Sequence, residues 1–116
     1  MIFTFPINKN KDFLKLYKRG KFFVGKYLVL YALSNSNKVN RLGITASKKF
    51  GGSVKRNRIR RLIKESYRAY EAKLKEGFDL VFVARSCEEL PSFHEIKREM
   101  KYLLRKLELF KEDKIS

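Results

Sequence analysis

The sequence predicts an α/β (α+β) protein, a two-layer sandwich with helices packed on a sheet in the order α-β-β-(β)-α-β-α. Three observations predict it. Three segments carry apolar residues at helical spacing. Other segments carry short runs of aromatic, β-branched and aliphatic residues of strand length. Glycines and Asn/Ser clusters separate them. At 116 residues, with 44% hydrophobic and 14% aromatic content, residues 1–116 suit a single domain with its own core.

The first helix is expected from a cap at Asn10 to about Arg19, because Phe13, Leu16 and Tyr17 share a face and Gly20 follows. Residues 22–33 read as a strand bent or bulged at Gly25, with an extra strand possible around 21–24. Asn35–Lys38 is a turn cluster, and Arg41 to Ala46 a second strand, so the two strands are expected to pair as a hairpin. A long helix is expected from Val54 to Lys75, with Ile59, Leu62, Ile63, Ser66, Tyr67, Tyr70 and Leu74 inward and Gly77 after it. Phe78–Ala84 is a strongly apolar strand. Ser92 and Glu95 have capping-box spacing, and Ile96, Met100, Leu103, Leu104 and Leu107 line the last helix, which is expected to fray after about 110.

The composition excludes several classes. Lys and Arg total 28 against 12 Asp and Glu, a net charge of +16, so a polyanionic partner is expected. No apolar run reaches the roughly 18–20 residues of a membrane span, and no membrane role is expected. The one cysteine, Cys87, cannot form an internal disulfide, and with no signal peptide the cytoplasm is the expected compartment. His94 is the lone histidine. No zinc-type spacing and no carboxylate cluster marks a metal or catalytic centre, so no catalytic or metal-binding residue is expected.

The strongest local feature is the run from Ser47 to Arg68, with nine Lys or Arg and one acid, Glu65. Asn57, Arg60, Arg61, Lys64 and Arg68 share one arc of the helix, away from the apolar stripe. Lys55, Arg56 and Arg58 stand in its first turn, where the macrodipole disfavours each cation by roughly 0.3–1 kcal/mol. Bound phosphate reverses that sign, and arginine matches it bidentately. Asn57 can meet a base edge or a 2′-hydroxyl.

This run, SKKFGGSVKRNRIRRLIKESYR, resembles the signature of the protein subunit of bacterial ribonuclease P: an Arg-Asn-Arg core in a long helix after a Lys-Lys-x-Gly loop. NKDFLKLYKRGK, YLVLYAL, RLGITAS and GFDLVFVAR resemble that family's other segments in order, over roughly residues 8–107. Two positions depart from the pattern. Phe3–Ile7 is apolar where the family is often basic, and Tyr17 stands where Phe is frequent.

The resemblance implies a fold like a ribosomal-protein domain with a left-handed βαβ crossover. It implies a subunit that binds ribonuclease P RNA and the 5′ leader of precursor tRNA, promoting 5′ maturation while the RNA, with Mg²⁺, carries the catalysis. RNA-subunit contacts are expected at Lys48, Lys49, Lys55, Arg56, Asn57, Arg58, Arg60, Arg61, Lys64 and Arg68. Leader contacts are expected at Phe13, Tyr17, Val29 and Tyr31. No dedicated protein partner is expected. Physically, Phe13 and Tyr17 are i, i+4 neighbours, and Tyr27, Val29 and Tyr31 share a face by period two. Phe13 fits a core position as well as a stacking one, Tyr27 fits the core better, and the hydroxyls of Tyr17 and Tyr31 disfavour full burial. The competing expectations are a basic ribosomal-type protein with a structural role, a DNA-binding helical module and a protein-only nuclease.

Overall fold

The structure, a computed structural model, describes residues 4–111. Five strands form one sheet: β1 (Thr4–Pro6), β2 (Lys21–Val24), β3 (Leu28–Ser34), β4 (Asn40–Thr45) and β5 (Phe78–Ala84). Three helices accompany it: α1 (Asn10–Arg19), α2 (Ser53–Tyr70) and α3 (Phe93–Lys106). The strand order is β1-β4-β5-β3-β2.

The expected hairpin between the strands at 22–33 and 41–46 does not form, because β5 lies between β3 and β4. The chain leaves β4 through α2 and returns as β5, a βαβ connection that makes β4 and β5 parallel neighbours. β5 is the most apolar strand and takes the position covered on both faces. Its Leu80, Phe82 and Ala84 join the core under α2 and α3. Its Val81 packs with Leu16 of α1 and Ile7 on the other face, with Val83 against them.

The two faces are covered unequally. α2 and α3 contribute Ile59, Ile63, Tyr67, Ile96, Met100, Leu103 and Leu104 to the main core. α1 alone lies on the opposite face, where Leu16 is its only fully buried residue. The two-layer frame therefore holds, with α1 as partial cover of the outer face.

Several local differences trace to distant partners. The segment 22–33 is two antiparallel strands, as the extra-strand expectation allowed. Glu99 of α3 grips the turn between them, accepting the backbone N–H groups of Lys26, Tyr27 and Leu28 at 2.9, 2.7 and 2.7 Å. Tyr27 thus precedes β3 and packs toward the main core, its hydroxyl donating to Glu95 at 2.7 Å. It does not share the face of Val29 and Tyr31. Asn10 is the first residue of α1 rather than its cap, a position held by Lys9. α2 ends at Tyr70 in a 3₁₀ turn, Glu71–Lys73, because Leu74 is drawn into a bridge with Phe110. β1 is unforeseen in the pattern: three residues including Pro6, parallel to β4. The Ser92–Glu95 capping box of α3 forms as expected. α3 ends earlier than expected, at Lys106, with Leu107 as its C-cap and Phe110 turned into the bridge with Leu74. Phe3 and residues 112–116 lie outside the described residues.

Arg41 of β4 ties the outer face together. Its guanidinium donates to both oxygens of Asp79 on β5, at 2.9 and 2.6 Å, and to Asp12 of α1 at 3.3 Å. Asn35 donates to Asp79 as well, at 2.9 Å. Burial pushes the Asp79 carboxyl up, but the hydrogen bonds from Arg41 and Asn35 outweigh it and hold the group below its ordinary range. A carboxylate depressed in this way stabilises the fold above its unfolded value, near 4, and that contribution is lost as the pH falls through the lower folded value. Arg41→Ala strands a buried carboxylate. With the pair partly exposed, it is expected to cost about 2–3 kcal/mol at neutral pH. In urea melts the deficit against wild type should narrow below about pH 4.

Candidate nucleic-acid interface

The basic run begins where β4 ends. Phe50 is buried and fixes the 3₁₀ turn Lys48–Phe50 against the core, leaving Lys48 and Lys49 exposed. Gly51 follows at φ +153°, a conformation that L side chains rarely adopt. A Cβ there would also lie 2.6 Å from the Lys55 side chain. Gly52 is the cap of α2 and offers no side chain to the first N–H groups, and no acid stands in the first turn. That end of the helix keeps donors and positive dipole facing outward.

The expected RNA-facing residues do not all behave alike. Asn57, Arg58, Arg61, Lys64 and Arg68 are exposed. Arg60 is half-buried and donates to Asn57 Oδ1 and to the Ala46 carbonyl, both at 3.3 Å, which fixes its plane at the start of the helix. Arg56 is half-buried, and its Nε has no hydrogen-bond partner among the described residues. Arg68 lies 3.6 Å from Glu65, an exposed pair of small energetic weight. Lys55 turns inward. Its Nζ donates to the Cys87 carbonyl at 2.7 Å and stands 5.1 Å from the Phe50 ring centroid. It braces the loop rather than presenting its charge. Cys87 is half-buried, and His94 is exposed beside Phe93.

The second surface lies on the outer face of the sheet, beside α1. Tyr17 meets Tyr31 edge-on with ring centroids 4.9 Å apart, and Phe13 stands 6.5 Å from Tyr17. Phe13 can lie this low because β4 carries Gly43 beneath it, where a Cβ would come within 2.5 Å of the ring. Among the described residues the hydroxyls of Tyr17 and Tyr31 have no hydrogen-bond partner, and Tyr17 is 39% exposed. Val29 sits two residues from Tyr31 on the same strand face and is half-buried. All four expected leader residues are therefore brought together.

The pattern missed one member of this surface. Phe22 of β2 pairs across the ladder with Tyr31, is 57% exposed, and lies 5.5 Å from the Tyr31 ring centroid. Phe13, Tyr17, Tyr31 and Phe22 thus form one continuous row of rings from α1 to the sheet edge. β4 links the two surfaces, since Gly43 seats the rings and the basic turn starts five residues on, within roughly 17 Å of chain.

Comparison with known proteins decides the family: the Ribonuclease P family model matches residues 4–108. The chain belongs to the ribonuclease P protein family. It is 49% identical over 110 residues to the ribonuclease P protein component of Clostridium kluyveri, covering 93% of this chain and 98% of that one. It is 44% identical over 107 residues to that of Clostridioides difficile, covering 91% and 94%. Its fold matches the ribonuclease P protein of Staphylococcus aureus with a TM-score of 0.83 at 30% identity, over 92% of this chain and 98% of that one. The protein from Thermotoga maritima matches with a TM-score of 0.78 at 28% identity, over 89% and 97%. The role is that of a ribonuclease P protein subunit, a partner of ribonuclease P RNA in tRNA maturation.

The seat under Phe13 can be tested in this family member without touching a ring. Gly43→Val is expected to lift Phe13 and to lower stability by about 1–3 kcal/mol, the range of an overpacked site. Urea melts measure the loss. Loss of the Phe13-to-Tyr17 nuclear Overhauser contacts in the variant would report the lifted ring.

Proposed function

We propose that this subunit docks ribonuclease P RNA on the outward face of α2 and holds the 5′ leader of precursor tRNA across the row of rings. The observation that carries the leader reading is the row itself: four rings in sequence from α1 across the part of the sheet face that α1 leaves open. Aromatic faces beside cations hold single strands with little sequence preference, at about 1–3 kcal/mol per stacked base. Lys48, Lys49, Asn57, Arg58, Arg61, Lys64 and Arg68 supply the exposed cationic and polar contacts to RNA phosphate. Arg56 and Arg60 support them at the helix start, and Lys55 positions the loop.

In this reading the RNA subunit performs the hydrolysis with Mg²⁺ held by its own phosphates, in the cytoplasm. Several of the chain's carboxylates are already engaged within the fold. Arg41 takes Asp12 and Asp79, while Glu95 and Glu99 accept from Ser92, Tyr27 and the β2–β3 turn. The protein's chemical work is to screen phosphate repulsion and to fix the leader's path, which raises substrate affinity where Mg²⁺ is scarce.

Cleavage of precursor tRNA by a bacterial ribonuclease P RNA at low Mg²⁺ tests the whole reading. Added protein should raise both substrate affinity and rate, and no rise would overturn it. Arg58→Ala should weaken binding to the RNA subunit and flatten the log–log salt slope by about 0.7–0.9. An unchanged slope would remove phosphate docking from that residue. Tyr31→Ala and Phe22→Ala should each lower holoenzyme affinity for leader-bearing substrate by roughly 5- to 150-fold and leave mature tRNA unaffected. Equal losses on both substrates would return the rings to a packing role.

A further inference from the structure

A third charged concavity lies away from both surfaces. It is a cavity of about 840 Å³ between α3, the turn after α2 and the segment running to Lys111. Lys73, Lys75, Lys101, Arg105 and Lys111 line it, against one acid, Glu108. The wall is built, not incidental. Lys75 N–H donates to the Leu109 carbonyl and Lys111 N–H to the Lys73 carbonyl, both at 2.8 Å. Tyr70 and Phe110 meet edge-on in the lining, with centroids 5.8 Å apart.

Helix dipoles do not account for this charge. Lys73 and Arg105 stand in last turns, where cations are favoured, but Lys75, Lys101 and Lys111 do not. None of the five cations is in an ion pair among the described residues. Nor is the excess a uniform consequence of a basic chain. The adjoining cavity of about 370 Å³ sets Lys38 and Lys111 against Glu71 and Glu76, and is balanced. The 840 Å³ volume falls in the ~300–1,000 Å³ range of clefts that enclose small ligands, and ammonium and guanidinium donors match phosphate oxygens.

We propose that this cleft holds a phosphodiester segment of RNA, a contact separate from the first-turn arginines of α2 and from the rings. α2 is about 27 Å long, so the cleft at its far end cannot share phosphates with the first-turn arginines. The proposal rests on the family's RNA partnership and not on the leader reading.

The test uses the full chain and two salt series: binding of the protein to ribonuclease P RNA, and binding of the holoenzyme to precursor tRNA. Lys101→Gln/Arg105→Gln changes two exposed side chains. It should lower the log–log salt slope by about 1.4–1.8 in one of the series. The series that responds identifies which RNA supplies the phosphates. Lys26→Gln/Lys106→Gln removes equal charge elsewhere, Lys106 facing the Phe23 and Tyr102 rings, and should leave both slopes unchanged. Equal shifts in the two double variants would overturn the site in favour of diffuse charge, and no shift in either series would overturn it outright. Arg58→Ala, measured alongside, separates the readings. If it alone weakens RNA binding, only the cleft fails; if it too changes nothing, the α2 face fails with it.

Discussion

The outer face of the sheet is wider than the one helix laid on it, and the rest of the molecule follows from that mismatch. A ten-residue helix is about 15 Å long. It covers β5 and parts of β3 and β4, and Leu16 alone on α1 is fully buried. The strands beyond it still carry apolar residues outward: Tyr31 and Val29 on β3, Phe22 and Val24 on β2. In a fold selected only for stability these positions would be polar, or a longer helix would cover them. Instead they are aromatic or aliphatic, and the rings are held by contacts among themselves. The proposed path of the leader runs over this uncovered face.

The same logic applies to charge. The first turn of α2 carries cations against the dipole and no acid to offset them. The structure shows that these cations are not equivalent. Lys55 is held by the Cys87 carbonyl and shapes the loop, while Arg60 is aimed by Asn57 and Ala46. The exposed set projects from a rigid helix whose opposite face is locked by Ile59, Ile63 and Tyr67. Tyr67 is itself pinned to β1 through Thr4 at 3.0 Å, and burial raises its pKa to about 12. Rigid presentation reduces the entropy lost on docking.

Much of this is legible in the sequence because it is local. The apolar stripes of α2 and α3, the capping box at Ser92 and the segregation of the basic arc need only neighbours within a few residues. Most of the misses depend on distant partners. The false hairpin fails because strand order is set by which strand both faces bury, a property of β5 nearly forty residues further on. Tyr27 changes face because Glu99, 72 residues away, clamps the turn before β3. Phe22 and Phe23 are indistinguishable by composition. Only the register with Tyr31 and Leu30 sends one to the rings and the other to the core. Lys55 looks like its basic neighbours until the loop holding Cys87 is placed beside it.

The acids complete the argument. A chain with net charge +16 has few to use, and several of the described ones hold architecture rather than neutralise the surface. Asp12 and Asp79 converge on Arg41, joining α1, β4 and β5. Glu99 holds a turn, and Glu95 serves both a helix cap and the Tyr27 hydroxyl. Placed in this way, these carboxylates screen little of the basic surface. The outward face of α2 and the cleft beyond its far end keep their positive charge, and an external polyanion relieves the self-repulsion more fully than dissolved salt does. Binding RNA and completing the electrostatic balance of the fold are then one event, so occupied sites add directly to native-state stability.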